Sequence, residues 1–439
     1  MSLSSKLSLS SIFLFWSPLS ATWLMMAAEG PLLTSLIARL SEPKYNLAAY
    51  GVATAIAMII ESPIIMMLSA SIALVRDSYS YKALRGFLIK LNILITLGMI
   101  ITIIPPVFSV IAYNILHLTK PVADLMYGCL ISMIFWPAAI GFRRFWQGLL
   151  IRAHLTKRVA VGTVVRLSTM FGTALFLAHF TQFSGTIIGG TSLTVGVILE
   201  ALATRIMVHE TIKKLLIQEE IKTEQPLTTS YMISYYSPLA LTSLIGMASV
   251  PILTFFIGRS PMSLESLAVL PIIESFVFIF RSFGFSFQEV SLALLGQGNK
   301  YYKELRRFAL ILGITTTATY SFIVYSPIVY IVLSKLYGLT PDLVEFSIIP
   351  CRILFFYPFL AVSYAYFRSV LMNSKKNSSV TYSTIIEVIG MIGIVVLIET
   401  TVHPVGIITA AMGLGIGRLG AQWYLFRSFN TIVKRPILK

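Results

Sequence analysis

Charged residues are scarce in this sequence. They make up 12% of its 439 residues, about half the share that is typical of a soluble domain. Hydrophobic residues make up 56%, and the mean hydropathy is +0.83. This composition argues against a soluble globular protein and indicates that lipid is the main solvent. The net charge of +16 therefore indicates basic cytoplasmic loops rather than a nucleic-acid surface.

Cysteine and histidine are also rare. Cys129 and Cys351 lie in apolar runs, so we expect neither a disulfide framework nor a cysteine metal site. The five histidines, which are scattered and predict no metal site, are His117, His154, His179, His209 and His403. The sequence lacks a GxxxxGK phosphate-binding loop, a nucleophile elbow and a paired-histidine metalloprotease helix. We predict no cofactor, no metal, no catalytic residue and no enzymatic activity.

Apolar segments long enough to cross a bilayer recur along the chain, since a spanning helix needs about 20 mostly apolar residues. We predict twelve, at roughly 9–37, 46–75, 87–113, 123–150, 159–180, 186–208, 231–258, 264–295, 308–333, 343–371, 378–399 and 404–428. The first is longer than the apolar core of a signal peptide and contains Pro18 and Glu29, so we expect a retained helix. Internal prolines such as Pro63 and Pro238 predict bends, which need protein or a cavity to satisfy the freed backbone groups.

The basic residues divide unevenly between the loops. With both termini on the cytoplasmic side, 23 of the 34 lysines and arginines, Arg368 included, fall in cytoplasmic segments and five in outer segments. Cytoplasmic loops of membrane proteins carry such an excess. We predict a multi-pass protein of a cell membrane with cytoplasmic termini, and the short loops favour a bacterial inner membrane.

Four short segments of the first half of the sequence recur in the second half, at a nearly constant offset of half the chain. The pairs are Ser17-Pro18-Leu19 with Ser237-Pro238-Leu239, Leu47-Ala48 with Leu267-Ala268, residues 81–87 with 302–308, and Trp136-Pro137 with Tyr357-Pro358. Six spans repeated six spans later keep the same orientation, which predicts two parallel-repeat lobes. We expect an all-α membrane protein with an N-lobe at 1–208, a cytoplasmic linker at 209–229 and a C-lobe at 230–439, in a V around a central cavity.

Twelve ionisable residues fall inside the predicted spans. They are Glu29, Glu61, Arg143, Arg144, Arg166, Glu200, Glu274, Arg281, Glu289, Arg352, Glu387 and Arg418. A charge near the bilayer centre is costly, so such residues face protein or a wet cavity and pair with one another. Four of them, Arg166, Glu200, Glu387 and Arg418, lie on spans where we expect pairing that holds helices together.

Two six-span halves in parallel repeat, bent first and seventh spans and the lack of an ATPase resemble the multidrug/oligosaccharidyl-lipid/polysaccharide exporter superfamily. Within it, the sequence resembles the progressive ankylosis protein family. The segments that carry this resemblance are AAYGVA (Ala48–Ala53) before the Ser62-Pro63 break, YYSPLAL (Tyr235–Leu241), PILTFFIGR (Pro251–Arg259), IIPCRILFFYP (Ile348–Pro358) and LMNSKKN (Leu371–Asn377). Glu29 and Glu289 stand where acidic residues of that family's helices 1 and 8 are expected. The resemblance implies export of anions such as pyrophosphate, nucleotides and citrate.

Arginines inside the spans agree with an anionic substrate, because guanidinium groups match phosphate and carboxylate oxygens. The substrate-binding candidates are Arg143, Arg144, Arg281 and Arg352. The candidates for coupling or gating are Glu29, Glu61, Glu274 and Glu289. The first three would pair with these arginines at rest or carry a proton.

We therefore predict a secondary active transporter that exports small organic or phosphorylated anions by alternating access of two lobes. Its partners are the anion, the lipid bilayer and, as the coupling ion, H+ or Na+; no nucleic acid is expected, and the protein is expected to be a monomer. Two other transport functions stay open: a cation antiporter of the multidrug and toxic compound extrusion type, which the six arginines oppose, and a flippase for a lipid-linked phosphate intermediate. A non-transporting scaffold or receptor is disfavoured by the charges and the repeat.

Glu61 and Arg281 occupy matching positions in the two halves of the repeat and carry opposite charges. We expect them to pair in one conformation and to separate when substrate or a coupling ion enters. Exchanging both charges, by Glu61→Arg with Arg281→Glu, should therefore retain more proteoliposome transport than either single reversal. Equal loss in all three variants would contradict the pairing.

Overall fold

The structure is a computed structural model and describes residues 7–37, 39–116, 118–217, 227–257, 259–401 and 405–433. Every regular element in those ranges is a helix, which confirms the predicted all-α membrane fold. His117, His403 and residues 218–226 of the predicted linker lie outside the described residues.

The described part of the first half folds into helices joined by short turns. In chain order they are α1 (Leu9–Ile37), α2 (Pro43–Glu61), α3 (Met67–Leu74), α4 (Ser78–Ile103), α5 (Pro105–Ser109), α6 (Lys120–Ser132), α7 (Trp136–Arg152), α8 (Thr156–Phe180), α9 (Gly185–Met207) and α10 (His209–Ile217). A 3-10 turn at Ser62–Ile64 separates α2 from α3, and a π-helical turn at Val110–Ile115 follows α5.

The second half repeats this order, except that the single helix α12 stands in place of α2, the 3-10 turn and α3, and that α10 has no counterpart among the described residues. Its helices are α11 (Thr229–Ile257), α12 (Ser263–Leu294), α13 (Tyr302–Tyr325), α14 (Ile328–Ile331), α15 (Pro341–Ile353), α16 (Tyr357–Asn373), α17 (Asn377–Thr401) and α18 (Gly406–Val433). A π-helical turn at Val332–Leu336 follows α14.

Eleven of the twelve predicted spans are long and apolar enough, within the described ranges, to cross a membrane. Two of these spans are bent pairs of helices, α6 with α7 at 41° and α15 with α16 at 43°. The twelfth predicted span corresponds to α18, which has 28 residues. At about 1.5 Å per residue it exceeds the roughly 30 Å thickness of a hydrocarbon core.

Helix α4 begins at Ser78, well before the predicted start of the third span. The Asp77 carboxylate accepts a hydrogen bond from the Ser80 backbone N–H at 2.8 Å, and the Ser80 hydroxyl accepts one from the Asp77 backbone N–H at 2.9 Å. This capping box satisfies two groups that a helix start would leave free. The start of α4 is therefore set by its cap rather than by its apolar run.

The chain packs as two compact units. The N unit is Ala28–Leu244, and the C unit is Met1–Ala27 together with Ile245–Lys439. Helices α1 and α11 therefore each contribute to both units. The lobes predicted at 1–208 and 230–439 follow the sequence repeat and remain our proposal for the functional halves.

Backbone conformations recur at the offset found in the sequence. Glu42 and Met262 each precede a helix with φ of 48° and 52°, and His154 and Lys375 each lie in a turn with φ of 61° and 60°. Positive φ is uncommon for residues other than glycine. The two bent spans and the two π-helical turns match at the same offset, so the parallel repeat is a property of the fold.

The first parts of α1 and α11 pack in corresponding ways. In the C unit, the Trp16 indole N–H donates to the Ser286 hydroxyl at 2.9 Å, and the Trp16 ring lies 5.9 Å from the Phe308 ring. In the N unit, the Tyr236 hydroxyl donates to the Pro63 carbonyl at 2.6 Å, and the Tyr236 ring lies 5.3 Å from the Phe87 ring. Trp16 matches Tyr236 in the repeat, and Phe87 matches Phe308. The N-terminal part of each of these two helices therefore packs against residues from the other half of the sequence.

Two glycines at matching positions of the repeat allow close helix crossings. A Cβ atom at Gly196 of α9 would lie 3.1 Å from the Arg166 carbonyl oxygen, and one at Gly417 of α18 would lie 2.5 Å from the Glu387 carbonyl oxygen. Arg166 and Glu387 also match each other in the repeat. The contacts of α8 with α9 and of α17 with α18 therefore use the same geometry.

Gly417→Ala should destabilise the protein by about 1–3 kcal/mol, because the new methyl group meets backbone that cannot move aside freely. The matched control is Gly393→Ala on α17, where a Cβ atom meets nothing within 4 Å and alanine favours the helix by up to about 1 kcal/mol. Thermal unfolding of the purified variants in detergent measures both changes. Equal melting temperatures for the two variants would contradict the tight crossing.

Candidate functional site

A network of buried charges joins α1, α7, α8 and α9 in the N unit. Arg143 Nη1 lies 2.7 Å from Glu200 Oε2, and Arg166 Nη2 lies 2.6 Å from Glu29 Oε2. Arg166 Nη1 also lies 3.8 Å from Glu200 Oε2. These two arginines and two glutamates neutralise one another, as their burial requires.

Glu200 is the centre of this network. Its side chain is 0% exposed. Its Oε1 atom accepts hydrogen bonds from the Gln147 amide at 3.0 Å and the Thr163 hydroxyl at 3.4 Å. Arg143 and Gln147 are one turn apart on α7, which places both side chains on one helix face. The sequence of α7 therefore presents two donors together to the Glu200 carboxylate.

Glu61 lies where the second span is interrupted. Helix α2 ends at Glu61, and the chain then forms the 3-10 turn that contains Pro63. Glu61 is 6% exposed, and its Oε2 atom has no hydrogen-bond partner among the described residues. A proline cannot donate the hydrogen bond that continues a helix. The break thus places a buried carboxylate at an irregular point of the helix.

The other N-unit candidate, Arg144, is buried beside Arg143. Neither arginine side chain is therefore exposed at the surface of the protein.

The C unit contains a second buried pair, between Arg418 of α18 and Glu387 of α17. Arg418 Nη2 lies 2.8 Å from Glu387 Oε1 and donates to the Tyr357 hydroxyl at 3.2 Å. The Arg418 Cζ atom lies 4.3 Å from the centre of the Tyr364 ring, a cation–π distance. This arginine thus has ionic, hydrogen-bonding and aromatic partners.

Arg281 and Glu274 form a looser pair on α12. Arg281 Nη1 lies 3.7 Å from Glu274 Oε2, and both side chains are 23% exposed. The Arg281 Cζ atom lies 5.7 Å from the centre of the Tyr357 ring, the same tyrosine that accepts from Arg418. Tyr357 therefore connects the loose pair to the tight one. A small cavity within the C unit is lined in part by Glu274, Arg281 and Tyr357.

The two remaining predicted residues have other surroundings. Glu289 is buried, and its Oε1 atom accepts from the Trp23 indole N–H at 3.2 Å. Arg352 is exposed, and its Nε atom donates to the Val324 carbonyl at 3.2 Å. The roles assigned to these two residues stay predictions.

The buried pairs of the two units have opposite polarity. On the first helix of each crossing pair, Arg166 of α8 corresponds to Glu387 of α17. On the second helix, the partner charge is Glu200 in α9 and Arg418 in α18. Arg418 lies one turn earlier in the repeat register than the position that matches Glu200. The repeat thus preserves the helix crossing while it exchanges the signs of the charges.

Sequence reasoning missed Arg368, which it counted with the cytoplasmic basic residues. The structure buries this side chain at 8% exposure on α16. One signal was available, since Arg368 matches Gln147 in the repeat and Gln147 lies on a buried helix face. Tyr357 belongs to a repeated aromatic-proline pair, but that pattern does not indicate contact with arginines, and Tyr364 had no distinguishing sequence pattern.

No family model and no curated protein matches this chain. Solved structures do match over nearly the whole chain. The outward-facing structure of a multidrug resistance MATE family transporter of the MOP superfamily superposes with a TM-score of 0.77 and 13% identity, covering 98% of this chain and 97% of that chain.

Two further structures come from named organisms. A MOP superfamily transporter from Pyrococcus furiosus gives a TM-score of 0.76 with 12% identity, and a mutant of a Vibrio cholerae MATE transporter gives 0.73 with 14% identity. Each match covers 98% of both chains. The chain therefore has the fold of MATE transporters of the MOP superfamily, the superfamily that the sequence resembles.

Glu200→Gln should lower the free energy of unfolding by about 3–5 kcal/mol, because it leaves Arg143 as a buried charge without its ionic partner. The matched control is Glu345→Gln, which removes an exposed carboxylate from α15 and should change stability by less than about 0.5 kcal/mol. Denaturant unfolding in detergent micelles measures both. A Glu200→Gln variant as stable as the control would show that the network is not essential to packing.

Proposed function

We propose that the protein is a secondary active transporter that exports small organic or phosphorylated anions, such as pyrophosphate, nucleotides or citrate. Transport proceeds by alternating access of two lobes, driven by an H+ or Na+ gradient or by the gradient of the anion itself. No covalent chemistry is involved, so the protein is not an enzyme and needs no cofactor.

The observation that carries this proposal is the loose pairing of Arg281. A charge-assisted hydrogen bond between nitrogen and oxygen is usually about 2.7–2.9 Å long, whereas the Arg281–Glu274 distance is 3.7 Å and both side chains are partly exposed. Arg143, by contrast, is 2% exposed and closely bound to Glu200. An entering anion can therefore reach Arg281 with a smaller loss of existing contacts than it can reach Arg143.

One of the structural comparisons bears on the charge of the substrate. The Pyrococcus furiosus transporter is described as having a binding pocket of reverse polarity that suggests a different function. Arg281 and Arg418, which both lie near the Tyr357 ring, are consistent with such a departure from cation export. The resemblance to the progressive ankylosis protein family, which implies pyrophosphate, nucleotides and citrate, points the same way.

Acidic residues next to the arginines supply the coupling in this proposal. Arg281 exchanges Glu274 for the incoming anion, and the released Glu274 carboxylate takes up the coupling H+ or Na+. Glu29 and Glu289 already have partners in Arg166 and Trp23, and Glu61 has a carboxylate oxygen without a hydrogen bond in the described structure. These glutamates change partners or protonation as the transporter changes conformation.

The second candidate is a cation antiporter of the multidrug and toxic compound extrusion type. The fold favours it, because this chain has the fold of a multidrug resistance MATE transporter. Its substrate would bind carboxylates that a cation can reach, and Glu274 is the partly exposed carboxylate of the candidate residues. The two candidates thus predict opposite roles for the Arg281–Glu274 pair.

We further propose that the protein acts as a monomer in a cell membrane, with both termini in the cytoplasm. A bacterial inner membrane fits its short loops.

Uptake into proteoliposomes separates the two candidates. Labelled citrate, pyrophosphate and ATP are compared with a cationic dye, each with and without a proton or sodium gradient. We expect anion transport, and we expect Arg281→Gln to reduce it at least about tenfold, since a hydrogen bond to a charged group contributes about 1.5–3 kcal/mol.

The control is Arg427→Gln, which removes an exposed arginine whose Cζ atom lies 4.2 Å from the Trp423 ring. It should transport anions as the unmodified protein does. Dye transport without anion transport, lost in Glu274→Gln and kept in Arg281→Gln, would instead establish the cation antiporter.

A further inference from the structure

Arg368 is a buried arginine that forms no ion pair within the part of the chain that the structure describes. It lies in the last two turns of α16 and is 8% exposed. Among the described residues, its Nε and Nη2 atoms have no hydrogen-bond partner. Its Cζ atom lies 5.3 Å from the centre of the Tyr364 ring. One aromatic ring compensates a buried positive charge only in part.

The corresponding residue of the N unit has an acceptor. Gln147, which matches Arg368 in the repeat, donates to Glu200 Oε1 at 3.0 Å. The residue that matches Glu200 is Ala421, which is fully buried. The C unit therefore has a stronger donor in place of Gln147 and no carboxylate in place of Glu200.

Nearby carboxylate charge is already in use. Glu387 is bound to Arg418 at 2.8 Å, and Arg418 lies over the same Tyr364 ring as Arg368. The Tyr364 hydroxyl in turn lies 3.2 Å from the hydroxyl groups of Ser383 and Thr384. Two guanidinium groups thus share one aromatic ring and one carboxylate, which leaves a surplus of one positive charge.

We propose that Arg368 binds an anion with phosphate or carboxylate oxygens, in the place that the carboxylate of Glu200 fills in the N unit. The anion accepts from Nε and Nη2, two donors on one side of the planar guanidinium group, which suit a pair of oxygens. Arg418 contributes its charge without leaving Glu387. This proposal rests on the proposed function where it identifies the bound anion with the transported anion.

Two sources can supply such oxygens: a free anion, such as pyrophosphate or citrate, and the phosphate headgroup of an anionic lipid. The shared chemistry is an oxyanion that pairs with Arg368. The experiment therefore compares a soluble anion with a lipid.

Binding of pyrophosphate to the purified full-length protein is measured by calorimetry in phosphatidylcholine nanodiscs, and again in nanodiscs that contain phosphatidylglycerol. We expect Arg368→Gln, which installs the residue found at the matching position of the N unit, to weaken pyrophosphate binding at least about tenfold. Arg368→Lys, which keeps the charge but loses the two-donor geometry, should weaken it less. Arg427→Gln should bind as the unmodified protein does.

The melting temperature of each variant in the two kinds of nanodisc identifies a lipid ligand. If phosphatidylglycerol raises the melting temperature of the unmodified protein but not of Arg368→Gln, the bound anion is a lipid headgroup and the site is confirmed. If neither pyrophosphate binding nor the effect of phosphatidylglycerol changes in Arg368→Gln, the site does not exist.

Transport of the same variants separates this inference from the proposed function. Anion transport that continues while binding is independent of Arg368 overturns the inference alone. Binding that depends on Arg368, in a protein that transports only the cationic dye, overturns the proposed anion export alone.

Discussion

A charged side chain inside a bilayer has no water to solvate it, so it must find a partner within the protein. Apart from Arg281–Glu274, which lies within α12, the described ion pairs meet this requirement with contacts between different helices. Arg143 and Glu200 join α7 to α9, and Arg418 and Glu387 join α18 to α17. Replacing a buried ion pair by apolar side chains is often neutral or stabilising. We therefore infer that these pairs hold helices in specific positions. A buried charge without an ionic partner among the described residues, such as Arg368, is available to bind a ligand.

The repeat shows which properties of the fold are fixed and which are free to change. A tight crossing needs one small residue, and either helix can provide it. In the N unit Ile64 packs close to Gly141, whereas at the matching positions of the C unit Gly284 packs close to the backbone of Val362. Charge behaves in the same way, since Arg166 and Glu387 exchange signs at one crossing. At Gln147 and Arg368 the signs are not exchanged, because a neutral side chain in the N unit corresponds to an arginine in the C unit. This difference gives the C unit its surplus positive charge.

Much of the architecture follows from the sequence, because hydrocarbon imposes simple rules. Apolar runs predict the spans, and segments such as Ser17-Pro18-Leu19 reveal the repeat at a nearly constant offset. Partners were harder to predict, since Arg143 and Glu200 are far apart in the sequence and no periodicity connects residues on different helices. Arg368 was counted with the cytoplasmic residues because it lies at the end of its predicted span, near Lys375 and Lys376, although α16 continues past it to Asn373. The start of α4 depends on Asp77 and Ser80, a local signal that hydropathy does not contain.

If the buried ion pairs hold helices in place, the signs of the two partners in a pair should be interchangeable. Reversing the C-unit pair tests this most directly, by the melting temperatures of Glu387→Arg, Arg418→Glu and the double variant. Each single change places like charges side by side, and the double variant restores a pair with the polarity already used by α8 and α9. We predict a large loss of stability in both single variants and recovery of most of it in the double variant. A double variant no more stable than the single variants would contradict the account.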